Sequence, residues 1–160
     1  PSYRIRPATA EDVEFLAEVV VEATRAQGRL PDGLDERQWR TDFSRWTLEQ
    51  VRSGSSHETI SVIEADGERA GRLRITRAVG IMELNGIQLL PRFQRRGIGT
   101  AVMEDLKTQA AAAGFCLVLD VEKDNPDARR LYERLGFRLA GETDQEHRLQ
   151  WDGSQAAEAL

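Results

Sequence analysis

Cysteine and histidine are almost absent from this sequence. Among 160 residues there is one cysteine, Cys116, and there are two histidines, His57 and His147. A single cysteine excludes an intrachain disulfide, and these three residues lack the spacing of a zinc-type ligand set. We therefore expect a protein without a metal site.

Long apolar runs and an excess of positive charge are also missing. No run of about eighteen apolar residues is available to cross a membrane, and the first residues, PSYRIRPAT, lack the apolar stretch of a secretory signal. The net charge of −5 argues against a dedicated nucleic-acid binder. These absences predict a cytoplasmic protein that acts on neither membranes nor nucleic acids.

The rest of the composition is typical of one globular domain. Apolar residues make up 40% of the chain and charged residues 31%, which suits a soluble protein with a buried core. A chain of 160 residues fits a single domain. We expect residues 1–152 to form this domain and residues 153–160, which show no periodicity, to form a frayed tail.

Hydrophobic periodicity divides the chain into helices and strands. Helical spacing follows Ala10, covers residues 35–52 and 97–113, and returns after Asn125-Pro126, a pair typical of a helix start. Seven shorter segments read as strands, two of them joined by the hairpin signal Asp66-Gly67. The order β-α-α-β-β-β-α-β-α-β-β predicts an α/β (α+β) fold. Its mixed, mostly antiparallel central sheet would have six or seven strands flanked by about four helices.

The most informative segment is QRRGIGT, residues 94–100, between a strand that ends at Pro91 and a strong helix. Glycines at a helix start let a ligand approach the backbone, and the free amides and positive helix end favour phosphate. Arg92, Arg95 and Arg96 make this the most basic patch of the chain. The alternative is that the two glycines only permit a tight turn.

Two common phosphate motifs do not fit this segment. A Walker loop requires a Gly-Lys-Ser/Thr end, and no lysine lies nearby. A Rossmann fingerprint requires the strand to run directly into the glycines, whereas six residues separate Leu90 from Gly97 and Val102 stands in place of the third glycine. A nucleotide-binding domain therefore remains only a weaker alternative, with Asp120 at the position of its ribose-binding acid.

Two motifs lie between about Ile81 and Phe137, namely Gln94-x-x-Gly97-x-Gly99 and the later set Asn125, Ala128-Arg129, Leu131-Tyr132 and Gly136-Phe137. The first is similar to the phosphate signature Gln/Arg-x-x-Gly-x-Gly/Ala, and the second to the later signature, of the GNAT superfamily of N-acetyltransferases, which this part of the chain resembles. The resemblance implies transfer of an acetyl group from acetyl-CoA to a primary amine by direct attack in a ternary complex. It implies pyrophosphate on the amides of residues 95–100 and pantetheine paired with the strand near Ile87 and Leu89. The implied acetyl-CoA-binding residues are Ile87, Leu89, Gln94, Arg95, Arg96, Gly97, Ile98, Gly99, Thr100, Asn125, Ala128 and Arg129.

Two residues are candidates for the chemistry. Glu83 lies in an apolar strand, where a carboxylate needs a role or a partner, and it resembles the catalytic glutamate of the histone-acetylating members. The alternatives are a salt bridge with Arg72, Arg74 or Arg77 and an ordered water as the base. Tyr132 resembles the family's general acid, because a phenol can protonate the departing thiolate. The alternative is a core tyrosine whose hydroxyl has a structural partner.

The acceptor is predicted only as a class, a small-molecule or peptide amine. The family's first two helices wall the acceptor pocket, and the stripe Trp39, Phe43 and Trp46 lies on the second of them, although such a stripe is more often core. Acidic residues near Glu142 slightly favour a cationic amine. A CoA-binding module without catalysis, a pure interaction domain and a homodimer all remain open.

Overall fold

The computed structural model describes residues 2–153. The predicted tail therefore lies, apart from Gly153, outside the described residues. The helices are α1 Val13–Ala26, α2 Glu36–Ser53, α3 Ile98–Ala113 and α4 Pro126–Arg134. The strands are β1 Arg4–Pro7, β2 Glu58–Ala65, β3 Glu68–Ala78, β4 Ile81–Leu89, β5 Cys116–Glu122, β6 Arg138–Glu142 and β7 Glu146–Asp152. Short 3-10 turns cover Ala10–Asp12 and Pro91–Phe93.

The strands form one seven-stranded sheet in the order β1-β2-β3-β4-β5-β7-β6. Strand β1 pairs with β2, β5 with β7 and β7 with β6 in antiparallel fashion, whereas β4 and β5 are parallel. The predicted order of elements and the mixed seven-stranded sheet with four helices are confirmed. A doubly wound parallel sheet, which the weaker nucleotide-binding alternative needs, is not the topology of this chain.

Contacts along the described residues separate into two compact units. The first contains the residues up to Arg74 together with Gly86–Gly99, and the second contains Ile75–Asn85 together with the residues from Thr100 onward. Strands β3 and β4 therefore each contribute residues to both units.

Local sequence signals set the turns and helix starts. Asp66 and Gly67 both have positive φ, of 56° and 74°, as a two-residue hairpin turn with matching twist requires. Asp35 caps α2 by accepting the backbone N–H of Gln38 at 3.1 Å. A 3-10 turn precedes α1, so this helix begins at Val13, three residues later than predicted.

The core of the first unit forms between α1 and β2. Phe15, Leu16 and Val19 of the helix pack with Ile60 and Val62 of the strand. The aromatic side chains of α2 at positions 43 and 46 are half-buried against this cluster. Their packing agrees with the prediction that the stripe belongs to the core, yet it leaves part of each ring uncovered.

Asp12 is the centre of a charged network in the first unit. It is 2% exposed and accepts two hydrogen bonds from Arg6, at 2.8 and 2.9 Å. The backbone N–H of Thr9 donates to it at 2.8 Å, and Arg6 also holds Glu64 at 3.1 Å. The Arg6 hydrogen bonds hold the pKa of Asp12 well below its usual range, despite its burial. The network ties β1 to the turn before α1.

Candidate functional site

The turn before α3 has an uncommon backbone conformation. Arg95 has φ of 60° and Gly97 has φ of 81°, so two residues of this turn are left-handed. A non-glycine residue in this region is uncommon, and such residues cluster at functional sites. The exposed residues of this turn lead into the first turn of α3, whose N–H groups have no intrahelical partner.

Buried neighbours hold this turn at both ends. Phe93 and Ile98 are 1% and 2% exposed, and the side chain of Gln94 donates to the carbonyl of Leu89 at 2.9 Å. Residues 95–97 between these anchors are exposed. Gln94 therefore positions the loop against the end of β4, and the loop presents a fixed backbone to solvent.

The arginines of the predicted basic patch differ in their partners. Arg92 pairs with Glu68 at 3.1 Å, and Arg96 pairs with Asp66 of the β2–β3 turn. Arg95 is exposed and makes no ion pair within residues 2–153. The side chain free to meet an anionic ligand is thus the one on the left-handed residue.

The end of β4 provides a strand edge. The parallel pairing of β4 with β5 consists of four pairs, from Ile81 with Cys116 to Leu84 with Leu119. Within the described residues this pairing does not reach Ile87, which is half-buried. Backbone groups on that edge are therefore available to an extended ligand.

Helix α4 begins with the predicted cap. The side-chain oxygen of Asn125 accepts the backbone N–H of Ala128 at 3.3 Å, and Pro126 occupies the first helical position. Arg129 pairs with Glu133 at 2.9 Å. Each of these predicted cofactor-binding residues thus has a structural partner inside the helix, and their part in cofactor binding stays a prediction.

Tyr132 lies on α4 with its hydroxyl available. Its half-buried ring packs edge-on against Phe137, with ring centroids 5.8 Å apart. Burial raises the pKa of the Tyr132 phenol, so the phenol is protonated at neutral pH. No group of residues 2–153 forms a hydrogen bond with this hydroxyl, so the structural partner of the core-tyrosine alternative is absent there.

Glu83 accepts a hydrogen bond from Arg148 at 2.7 Å, and its side chain is 30% exposed. The same guanidinium holds Asp120, at 3.0 and 3.1 Å. The hydrogen bond with Asp120, more than the one with Glu83, raises the pKa of Arg148. Glu83 is thus fixed in one orientation by a cation on β7.

Of the ion-pair partners weighed for Glu83, Arg74 instead pairs with Glu58, and Arg72 donates to Gln88. The partner of Glu83 is Arg148, because β5 and β7 follow β4 in the sheet and bring β7 within reach of β4. In the sheet Arg148 stands directly opposite Asp120, a register that the structure shows and that sequence periodicity did not reveal.

The sequence was compared with known proteins. Residues 20–137 match the Acetyltransferase (GNAT) family. The chain belongs to the GNAT acetyltransferase family. A 5-NmdU N-acetyltransferase from Pseudomonas phage PaMx11 is 30% identical over 110 residues, which cover 68% of this chain and 77% of that protein.

Solved structures of GNAT proteins share this fold. The PaiA N-acetyltransferase from Thermoplasma acidophilum in complex with coenzyme A superposes with a TM-score of 0.80 at 20% identity, covering 95% of this chain and 99% of that one. A spermidine N-acetyltransferase SpeG chimera from Vibrio cholerae and hSSAT has a TM-score of 0.75 at 16% identity, covering 98% and 99%. The predicted family, fold and enzyme class, an acetyl-CoA-dependent N-acetyltransferase, are confirmed.

The GNAT chain offers no metal cluster among the described residues. No group of three or more His, Cys, Asp or Glu side chains in residues 2–153 could hold a metal ion. In the same residues, no helix has both the length and the apolar character to span a membrane.

Proposed function

We propose that this GNAT enzyme acetylates a primary amine by direct attack on acetyl-CoA within a ternary complex. The observation that carries the proposal is the left-handed, exposed turn at Arg95 and Gly97 leading into α3. Successive backbone N–H groups in such a turn form a concavity suited to an anion, and the helix dipole adds to it. The pyrophosphate of acetyl-CoA binds the amides of residues 95–100.

The pantetheine arm of acetyl-CoA pairs with the late part of β4. Ile87 and Leu89 lie beyond the four residues that pair with β5, so their edge can hydrogen-bond the arm's two amides. Asn125 is the proposed second contact to the arm, in addition to capping α4.

Counted from the ammonium form of the acceptor, the nitrogen loses two protons and the CoA sulfur gains one. The amine attacks as the neutral base, although a free alkyl ammonium has a pKa of about 10. Glu83 accepts the proton that the ammonium loses, either directly or through an ordered water, and the attacking nitrogen loses its second proton to solvent as the amide forms. The nitrogen–carbon bond forms, and the carbon–sulfur bond of the thioester then breaks. Tyr132 donates its phenolic proton to the CoA thiolate as it leaves.

The acceptor belongs to the class of amines. The names of two relatives specify N-acetyltransferases, one acting on 5-NmdU and one on spermidine. We propose a small-molecule or peptide amine as the acceptor. A cytoplasmic location and a homodimer stay predictions, which fractionation of cells and light scattering would test.

Two measurements test the proposed function. CoA should raise the melting temperature of the protein, because a ligand that binds only the folded state stabilises it. Free thiol should then appear when acetyl-CoA and a panel of amines are added. A protein stabilised by CoA that releases no thiol with any amine would be the non-catalytic binding module, and a protein without stabilisation would contradict both CoA-based functions.

A further inference from the structure

Arg72 is a buried cation without a counterion. It lies on β3, is 5% exposed, and donates from Nη1 to the side-chain oxygen of Gln88 at 3.1 Å. Its Nε–H is buried and has no hydrogen-bond partner. No carboxylate within residues 2–153 forms an ion pair with it. A buried charge normally has a partner of opposite sign, because the unpaired ion is poorly solvated.

The neighbouring Arg74 shows what Arg72 lacks. Arg74 is two residues along the same strand, and Glu58 binds its Nε at 2.6 Å. Its guanidinium lies 4.7 Å from the ring centroid of Trp46, whereas that of Arg72 lies 5.3 Å from the centroid of Phe43. The carboxylate of Glu58 is therefore already paired with Arg74. Burial, followed by repulsion from Arg74, lowers the pKa of Arg72 to about 10, although attraction to the more distant Glu58 carboxylate opposes this shift, and Arg72 is still charged at neutral pH.

The surrounding backbone leaves space for this guanidinium. A Cβ atom on Gly86 would lie only 2.6 Å from Nη1 of Arg72, so any larger residue at this position of β4 would displace the side chain. The aromatic cover is incomplete, since Phe43 is half-buried. Phe43 stacks on Trp39 with ring centroids 4.8 Å apart. Of the residues of α2, Thr47 alone is buried.

We propose that Arg72, held by Gln88, binds an anionic group on the amine acceptor, a carboxylate or a phosphate. The inference rests on the proposed acetyltransferase function and specifies its substrate. The Nε–H and the remaining Nη2 protons form the planar donor pair that suits two anionic oxygens. The Phe43 ring moves aside as the anion reaches Nε. Glu142, one of the acidic residues that favoured a cationic acceptor, is already paired with Lys123 at 3.0 Å.

The test compares acceptors that differ only in the anionic group. Amino acids are paired with their amides, and phosphoethanolamine with ethanolamine. We expect the wild-type enzyme to favour the anionic member of at least one pair by about tenfold or more in kcat/KM, the scale of one good ionic contact. Preference in one pair identifies the group as carboxylate or phosphate, and either result supports the proposal.

The Arg72→Gln and Arg72→Met variants should lose this preference through a higher KM for the anionic acceptor, with unchanged turnover of the neutral one. Both should fold, since replacing a buried unpaired ion by a neutral side chain of similar size does not destabilise a core; melting curves check this. Arg72→Lys should retain part of the preference. Arg74→Gln is the matched control, on the same strand but already paired, and should retain it.

Three outcomes are decisive. Equal kcat/KM for the anionic and neutral members of both pairs would overturn the inference, and so would an unchanged preference in Arg72→Gln. In both cases CoA stabilisation and thiol release persist, so the proposed function stands. A protein that neither gains stability from CoA nor releases thiol would overturn both.

Discussion

Replacement of Gly99 tests the proposed pyrophosphate site with little change to the folded protein. A Cβ on Gly99 would meet only Leu89, whose Cδ1 would lie 3.8 Å away, an ordinary van der Waals contact. The residue lies in the first turn of α3, where a side chain costs no backbone strain. Gly is also a poor helix former, by about 1 kcal/mol relative to Ala. Gly99→Val should therefore fold with a melting temperature close to that of the wild type.

The branched side chain should nevertheless weaken acetyl-CoA binding. If the phosphates approach the amides of this turn, the methyl groups of valine occupy part of their path. We expect at least a ~10-fold loss of affinity, about 1.4 kcal/mol. Isothermal titration calorimetry with CoA gives the affinity directly.

Comparing Gly99→Ala with Gly99→Val shows whether the loss of CoA affinity depends on the size of the side chain at this position. Gly99→Ala should bind almost as well as the wild type, because the motif that this segment resembles accepts alanine at that position. Gly97 is unsuitable as a control, since its φ of 81° would strain any other residue. Unchanged CoA affinity in a folded Gly99→Val protein would refute the placement of the pyrophosphate.

Three further predictions address the chemistry and the stability. Glu83→Gln should keep CoA affinity and lower turnover by ~10²-fold or more; Asp120→Asn, which alters the same Arg148 network, is the control and should keep most of its turnover. Tyr132→Phe should slow single-turnover chemistry by ~10²-fold at unchanged affinity, and a destabilised but fully active variant would remove the phenol from the mechanism. Asp12→Asn should lower the free energy of unfolding at pH 7 by about 2 kcal/mol, the scale of hydrogen bonds to a charged group. The pKa of Asp12 is depressed in the folded protein, so its contribution to the free energy of unfolding is full above about pH 4, the unfolded pKa, and is lost progressively as the pH falls below that value. Urea titrations at several pH values should therefore show that the free energy of unfolding of the variant depends less on pH in the acid range.

Local signals in the sequence predicted most of the elements. Caps, glycines and prolines act over three or four residues, so the starts of α2 and α4 and the turn at Asp66 could be read from neighbouring side chains. The helical face of α3 was also predicted, since Val102, Leu106 and Ala110 are buried. These features depend on periodicity within one element rather than on its neighbours.

Long-range pairings could not be predicted in this way. Strand β7 lies between β5 and β6, so the last strand of the chain, rather than the preceding one, is the neighbour of β5. This order decides that Arg148 meets Glu83. Sequence spacing alone did not point to Arg148, because Arg148 and Glu83 are 65 positions apart.

In the candidate site, too, some features could be predicted from the sequence and others could not. The glycine turn and the tyrosine were found as a motif, since the chemistry needs those residue types within a short span. The left-handed conformation of Arg95 was not foreseen, because arginine has no preference for it. Gln94 was expected to bind cofactor, and its hydrogen bond to Leu89 gives it a positioning role in the loop.

Both outer strands of the sheet resist association with further strands. Strand β1 has only four residues, ends at Pro7, and carries the Arg6 side chain tied to Asp12 and Glu64. Strand β6 has five residues and an irregular register between Leu139 and Gly141. Short length, proline, fixed charge and a bulge are the features that keep sheet edges from pairing with other chains. Strand pairing with other chains is therefore disfavoured at each end of the sheet by a different device.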